Sequence, residues 1–265
     1  MKSIKHFLLA IQFFTRIPVT GRLAHWVGYS PEMLRASAAH FPAVGWVVGG
    51  VTALVFWGAV MLLPELSASV WLAVCLSMMA SAALTGAFHE DGLADLADGV
   101  GGYVSREKSL EIMKDSRIGS YGALALILVV LTKMASLVVL AQVDVRLAAV
   151  AMVVAHVCSR WMPMWVIWSL PHVGDAVGSK SKPLADQLSG RTLLVGSLWC
   201  ASAFAFALWW QTEVRWLAAL VVSLLVMVWM RRLLKRRLQG FTGDGLGATQ
   251  QLSELGFYLG LLLIS

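Results

Sequence analysis

Six stretches of this chain, at roughly 41–63, 67–88, 121–141, 146–170, 193–211 and 215–231, are almost continuously apolar and long enough to cross a bilayer. Nothing else in the sequence constrains the fold as strongly. Inside lipid the backbone has no water to bond with, so each stretch must satisfy its own N–H and C=O groups as a helix. A weaker seventh stretch lies within 245–264, and it carries Glu254. Hydrophobic residues make up 58% of the 265 positions, well above the roughly 45–50% of soluble domains. The predicted fold class is therefore all-α: a polytopic membrane helical bundle of about six or seven transmembrane helices, forming a single integral membrane domain over 1–265. Ile4, Phe7, Leu8 and Ile11 share one helical face, which predicts an N-terminal interfacial helix. The apolar run 7–14 is short and no small-residue cleavage site follows it, so a cleaved signal peptide is not expected. Cys75, Cys158 and Cys200 all fall in apolar runs, which predicts small core side chains and no disulfide framework or zinc site.

Charge is distributed unevenly along this frame. The joints 64–66, 142–145 and 212–214 are short, whereas 1–40, 89–120, 171–192 and 232–244 are long. The long segments hold Lys2, Lys5, Arg16, Arg22 and Arg35, then Arg106, Lys108, Lys114 and Arg117, then Lys180, Lys182 and Arg191. The basic run "RRLLKRR", 231–237, follows the sixth stretch, while the short joints hold only Arg146 and Arg215. By the positive-inside rule the N-terminus and the long segments face the cytoplasm of a cell inner membrane. The net charge of +6 needs no nucleic-acid partner, because "RRLLKRR" reads as a topology anchor against anionic lipid. One-sided polar machinery suits an enzyme fed from the cytoplasm. A cation or proton transporter, the non-enzyme alternative, would carry polar groups toward both faces.

The chemistry-bearing stretch is "FHEDGLADLADGVGG", 88–102, directly after an apolar run. On a helix, Asp91, Asp95 and Asp98 recur at i, i+4 and i+7 and share one narrow face. Stacked like charges repel, and a divalent cation removes that cost. Hard carboxylate oxygens suit Mg²⁺, which usually takes one or two carboxylates together with substrate phosphates and water. Glu90 points a quarter turn away and is a further metal candidate, as is His89 on the back of the helix. Gly92, Ala94, Ala97 and Gly99 permit close approach by a neighbour, and Gly101 and Gly102 end the helix. The alternative is a solvated acidic helix end at the membrane surface.

Several basic residues suit an anionic substrate. In "EIMKDSRIGSYGALAL", Lys114 and Arg117 flank Asp115 in the last polar turn before the third stretch. Lys offers a point charge to phosphate and Arg a fork. Arg160, in "HVCSRWMPMW", and Lys133 lie inside spans, where a charge is costly and usually functional. Snorkelling is the alternative for Lys133. His156, one turn before Arg160, reads as a hydrogen-bonded core histidine. Asp244 sits between glycines in "TGDGLGA", either as the capped start of a helix or as a further contact at the metal and substrate site.

In that order and at that spacing, "FFTRIPV", "HFPAVG", "GAFHEDGLADLADG", "MKDSRIGSYGALAL", "VCSR" and "TGDGLGA" resemble the cobalamin synthase family, also called adenosylcobinamide-GDP ribazoletransferase. The resemblance runs from about residue 7 to residue 260, and "HEDGLADLADG" followed by "MKDSRIG" is highly specific. It implies Mg²⁺-dependent transfer at the inner membrane. Adenosylcobinamide-GDP and α-ribazole, or its 5′-phosphate, would give adenosylcobalamin, or its 5′-phosphate, and GMP. The implied metal–diphosphate site comprises Asp91, Asp95 and Asp98 with Glu90. Lys114, Asp115, Arg117, Arg160 and Asp244 fall in its further motifs. In such a transfer Lys114, Arg117, Lys133, Arg160 and Asp244 are the candidates for holding substrate, and Asp98 or Asp115 for taking the hydroxyl proton. The CDP-alcohol phosphotransferase class is similar in chemistry, but its Ala-Arg after the first half of the aspartate array is missing here. Lower-base identity and assembly into a homo-oligomer stay open at this stage.

Overall fold

The computed structural model describes residues 2–173, 188–211 and 213–264. Its elements are helices α1 (Lys2–Phe14), α2 (Gly21–Val27), α3 (Pro31–Ser37), α4 (Phe41–Leu62), α5 (Ser67–Thr85) and α6 (Phe88–Gly101). They continue with α7 (Arg106–Ile112), α8 (Ser120–Val143), α9 (Val145–Ser169), α10 (Gly190–Trp210), α11 (Arg215–Leu238) and α12 (Gly243–Leu262). Among the described residues, six helical stretches are long and apolar enough to cross a membrane: α3 running into α4, then α5, α8, α9, α10 and α11. They match the six apolar stretches to within a few residues, except that the first begins early because α3 runs into α4 at Pro31 and that α11 continues through the whole of "RRLLKRR". The chain is thus an all-α, multi-pass membrane bundle. Lys180 and Lys182, used above for orientation, lie outside the described residues.

The bundle is built around α9. In α9, 83% of the spanning window is buried, against 22–33% in the other five spans. A transmembrane helix so enclosed is surrounded by protein rather than lipid. Helix α4 lies along one side of it, where Gly45 and Gly49 let the α4 backbone rest on His156, Val157 and Val153. Inside α9, Pro163 leaves the Ser159 carbonyl without its usual helical donor. Helices such as α8 instead turn Leu124, Ile127, Leu128 and Leu131 outward, as a lipid-facing surface requires.

The weak seventh stretch is α12. It is not among the helices apolar enough to be spans, yet Gln250, Gln251, Ser253 and Glu254 are buried on it. It packs against α6, α8, α9 and α11. Its polar residues are shielded by other helices, so its hydropathy understates its burial. Helix α1 buries Leu9, Ala10, Ile11 and Phe14 and leaves Ile4 exposed, so the predicted amphipathic helix is seated against the bundle by its C-terminal half.

Polar ties hold one end of the bundle together. Val173 donates to the Phe241 carbonyl at 2.9 Å, and Phe241 to that of Pro171 at 2.9 Å. Arg231 reaches Ser169 at 2.8 Å and Arg237 reaches the Gly102 carbonyl at 2.6 Å. Arg106 bonds the Leu238 carbonyl at 2.7 Å. Two arginines of the basic run are therefore clamps between helices, beyond the anchoring role their charge predicts.

Candidate functional site: an acidic mouth above a buried charged network

Helix α6 starts immediately after α5 by way of a sharp elbow. Gly86 and Ala87 there both have positive φ, 68° and 56°. Gly86 is suited to that conformation and Ala87 is not. The elbow turns "HEDGLADLADG" away from the line of α5 and lays it against α12. Contact is close: a side chain at Gly92 would stand 3.0 Å from the backbone of Asp244. Asp244 thereby joins Asp91 and Asp95 at one mouth, on elements separated by about 150 positions of chain.

The electrostatics of that mouth are those of crowded, uncompensated carboxylates. Burial, and then the negative charges of Asp91, Asp244 and Asp98, push the Asp95 carboxyl up to about 7. Burial and Asp91 push Asp244 up to about 6. Asp91 itself is exposed. His89 faces the other way, buried and stacked on Phe14 with ring planes 10° apart, so it is no part of this mouth.

Asp98, a candidate metal ligand and proton acceptor by sequence, also makes two backbone hydrogen bonds. One of its oxygens accepts the Gly119 N–H at 2.7 Å and the other the Gly122 N–H at 2.8 Å. It caps the start of α8 and ties that helix to α6. Gly119 and Gly122 are required there, because a Cβ on either would collide with the Asp98 carboxylate. Asp115 is the other candidate proton acceptor by sequence. It is forked to Arg117 through contacts of 2.6, 3.0 and 3.2 Å, and Arg117 holds its carboxyl down at about 2. A carboxylate that acidic is a weak base at neutral pH; its geometry orients Arg117. Lys114 and Arg117 are exposed on the segment entering α8.

Beneath the mouth lies a network that sequence reasoning did not assemble. Glu254 of α12 is 2% exposed. It accepts from Lys133 of α8 at 3.2 Å, from Gln250 at 2.8 Å and from Tyr258 at 3.4 Å. Lys133 also donates to Gln251 at 2.8 Å, and Gln251 donates to Glu90 of α6 at 3.1 Å. Lys133, a candidate substrate contact or snorkelling residue by sequence, is thus committed to an internal ion pair. Glu90, a candidate metal ligand by sequence, is drawn toward α12 instead; its second oxygen is buried without a partner among the described residues.

Arg160 of α9 enters the same network. Its Nη1 donates to the His156 carbonyl and lies 3.0 Å from His156 Nδ1. Since guanidinium only donates, that ring nitrogen accepts, and the proton of a neutral His156 sits on Nε2, 3.4 Å from the Thr52 hydroxyl. The Arg160 Nε is buried without a partner among the described residues. The signal for all this was the polar run "TQQLSEL", 249–255, in an otherwise apolar helix. What it lacked was any sign of which helices would meet it.

Among the described residues no three His, Cys, Asp or Glu side chains converge closely enough for an all-protein metal cage. The donor set of the mouth nonetheless suits Mg²⁺ of the phosphate-bound kind, which needs only one or two carboxylates. Asp91, Asp95 and Asp244 offer hard, mutually repelling oxygens.

Comparison with known proteins bears on the same residues. The family model for cobalamin-5-phosphate synthase matches residues 6–262. An adenosylcobinamide-GDP ribazoletransferase of Polaromonas sp. is 53% identical over 97% of this chain and 96% of its own. One of Polaromonas naphthalenivorans is 50% identical over 98% of both chains. One of Vibrio cholerae is 45% identical over 98% of this chain and 94% of its own. No solved structure gave a significant match. With nearly every residue of the bundle and its acidic mouth inside the match, the chain belongs to the cobalamin-5-phosphate synthase family.

Proposed function

We propose that this protein transfers the adenosylcobinamide-phosphate group of adenosylcobinamide-GDP to α-ribazole, or to its 5′-phosphate. The observation that carries the proposal is the acidic mouth built by α6 and α12, within a chain whose relatives of that name match it end to end. A ribazole hydroxyl oxygen forms the new bond to the phosphorus that carries the cobinamide. The bond from that phosphorus to the bridging oxygen breaks, GMP leaves with that oxygen, and the hydroxyl proton passes to a carboxylate of the mouth. One or two of the carboxylates of Asp91, Asp95 and Asp244, together with substrate phosphate and water, would hold Mg²⁺, which supplies neutralisation of phosphate charge when bound. Arg117, steadied by Asp115, and Lys114 hold phosphate from the rim. Arg160 offers from within its Nε–H, which has no partner among the described residues. Asp98 sets the distance between α6 and that rim. The mouth opens to the cytoplasm of the inner membrane, in keeping with the basic residues on the long segments.

The test is turnover of adenosylcobinamide-GDP and α-ribazole by protein reconstituted in lipid, with product read by mass. Turnover should require Mg²⁺ and vanish in Asp91→Asn, which sits on an exposed carboxylate and leaves folding intact. Full turnover in excess chelator, or in that variant, would sink the metal reading. The absence of any cobalamin product from the unaltered protein would sink the activity itself.

A further inference from the structure

The network under the mouth contains more charge than a bundle of this size needs. Lys133, Arg160 and Glu254 are 6%, 3% and 2% exposed. Replacing such buried ions by packed apolar side chains is often neutral or stabilising, so stability alone does not explain them. Two full cations face one fully buried carboxylate, because His156 is neutral by its hydrogen bonds. A further carboxyl, Glu90, borders the network and is held there by Gln251.

Glu90 precedes Asp91 in α6, and successive helical residues point about 100° apart. A contact that holds Glu90 toward α12 therefore bears, together with the buried Leu93 and Leu96, on the rotation at which Asp91 and Asp95 face the mouth. The tie runs from Glu254 through Lys133 to Gln251 and on to Glu90, in contacts of 3.2, 2.8 and 3.1 Å. A parallel branch passes from Glu254 through Gln250 to Gln251 at 2.8 and 2.9 Å. The close contact of Gly92 with the Asp244 backbone limits how near α6 and α12 come, and the tie joins the Glu90 side of α6 to α12.

We propose that Glu254 is a positioning residue: through Lys133 and Gln251 it holds Glu90, and with it the rotation of α6 that presents Asp91 and Asp95. This rests on the reading that those aspartates hold the metal. Partners one step behind metal ligands typically change metal affinity or activity by about 10–100-fold when removed, which sets the size of effect to look for.

The experiment measures Mn²⁺ binding by electron paramagnetic resonance on purified full-length protein, beside thermal unfolding and steady-state kinetics. Glu254→Gln alone strands the Lys133 charge and should lower the unfolding midpoint. Glu254→Gln combined with Lys133→Met removes both charges and should recover most of that midpoint. It should still bind Mn²⁺ about tenfold more weakly and lose kcat by about tenfold, with ribazole KM little changed. Gln251→Met, which leaves the ion pair in place, should reproduce the Mn²⁺ defect without the loss of midpoint, and it carries the test should the double variant not fold. Wild-type Mn²⁺ affinity and kcat in Gln251→Met would overturn the positioning role. Asp91→Asn separates this from the underlying reading. Loss of Mn²⁺ binding there, with normal binding in Gln251→Met, overturns positioning and leaves the mouth standing. Normal Mn²⁺ binding in Asp91→Asn overturns the mouth and the positioning with it.

Discussion

Asp91 and Asp98 are seven positions apart on one helix and face in similar directions, yet their contacts differ because of what α8 brings to one of them. Asp98 meets two backbone N–H groups at the start of α8, Gly119 and Gly122; Asp91 meets none in that position and stays exposed. Asp98→Ala should therefore cost about 1–2 kcal/mol of stability, as the loss of a helix cap does. Chemical or thermal unfolding of the variant in detergent would show it, and an unchanged midpoint would contradict the capping role. Arg160 makes the complementary case. Its Nη1 is spent on His156 while its Nε has no partner among the described residues, and lysine cannot divide its contacts in that planar way. Arg160→Lys should fold and lose most activity, and Arg160→Ala should lose about a hundredfold or more, the defect lying with adenosylcobinamide-GDP. Steady-state kinetics on both substrates would decide, and near-normal turnover of Arg160→Lys would make the residue structural.

The mouth belongs to neither α6 nor α12 but to their contact. Burial and mutual repulsion raise Asp95 to about 7 and Asp244 to about 6, both from 3.8. Between the unfolded and folded values the folded protein keeps protons that the unfolded chain has already released. Stability then falls as pH rises through that window, the reverse of a salt-bridged carboxylate. Metal-free protein should accordingly unfold at a higher temperature near about pH 5 than near about pH 8, and added Mg²⁺ should narrow the gap by stabilising the ionised form. Thermal scans in chelator and in Mg²⁺ would check both parts; a midpoint that climbs with pH in chelator would contradict the crowding of these carboxylates. Element α12 also shows how a helix can be buried without being apolar. Its Gln250, Gln251 and Glu254 are satisfied by side chains of α6, α8 and α9, so helix-to-helix hydrogen bonds replace the water that such residues would otherwise need.

On the scale of the whole molecule, the acidic mouth, the Lys114–Arg117 rim and the arginine clamps on Gly102 and Ser169 gather at one end of the bundle. The short joint at Asp144 belongs to the other end, where α8 gives way to α9. A cysteine introduced beside Lys108 should be labelled by an impermeant reagent only from the cytoplasm, and one beside Asp144 only from outside. Reversed labelling would put the mouth on the far side and break the supply of nucleotide-activated substrate from within the cell.

Much of this architecture was legible without coordinates. Six apolar runs define spans because lipid leaves an apolar backbone no alternative to the helix. The i, i+4, i+7 spacing of Asp91, Asp95 and Asp98 is likewise local geometry and needs only the helical period. Partners distant in the chain were not legible. Nothing in the spacing says that Asp98 will meet Gly119 and Gly122, that Asp244 will come to rest against Gly92, or that Lys133 will find Glu254. Those outcomes depend on how α6, α8, α9 and α12 pack, and packing was decided by shape at the small residues and by pairing of charges that only the assembled interior brings together. Local periodicity thus determined the helices and their acidic face. Only the tertiary structure decided which of the carboxylates stay open to a ligand, because availability is set by the neighbours each one meets.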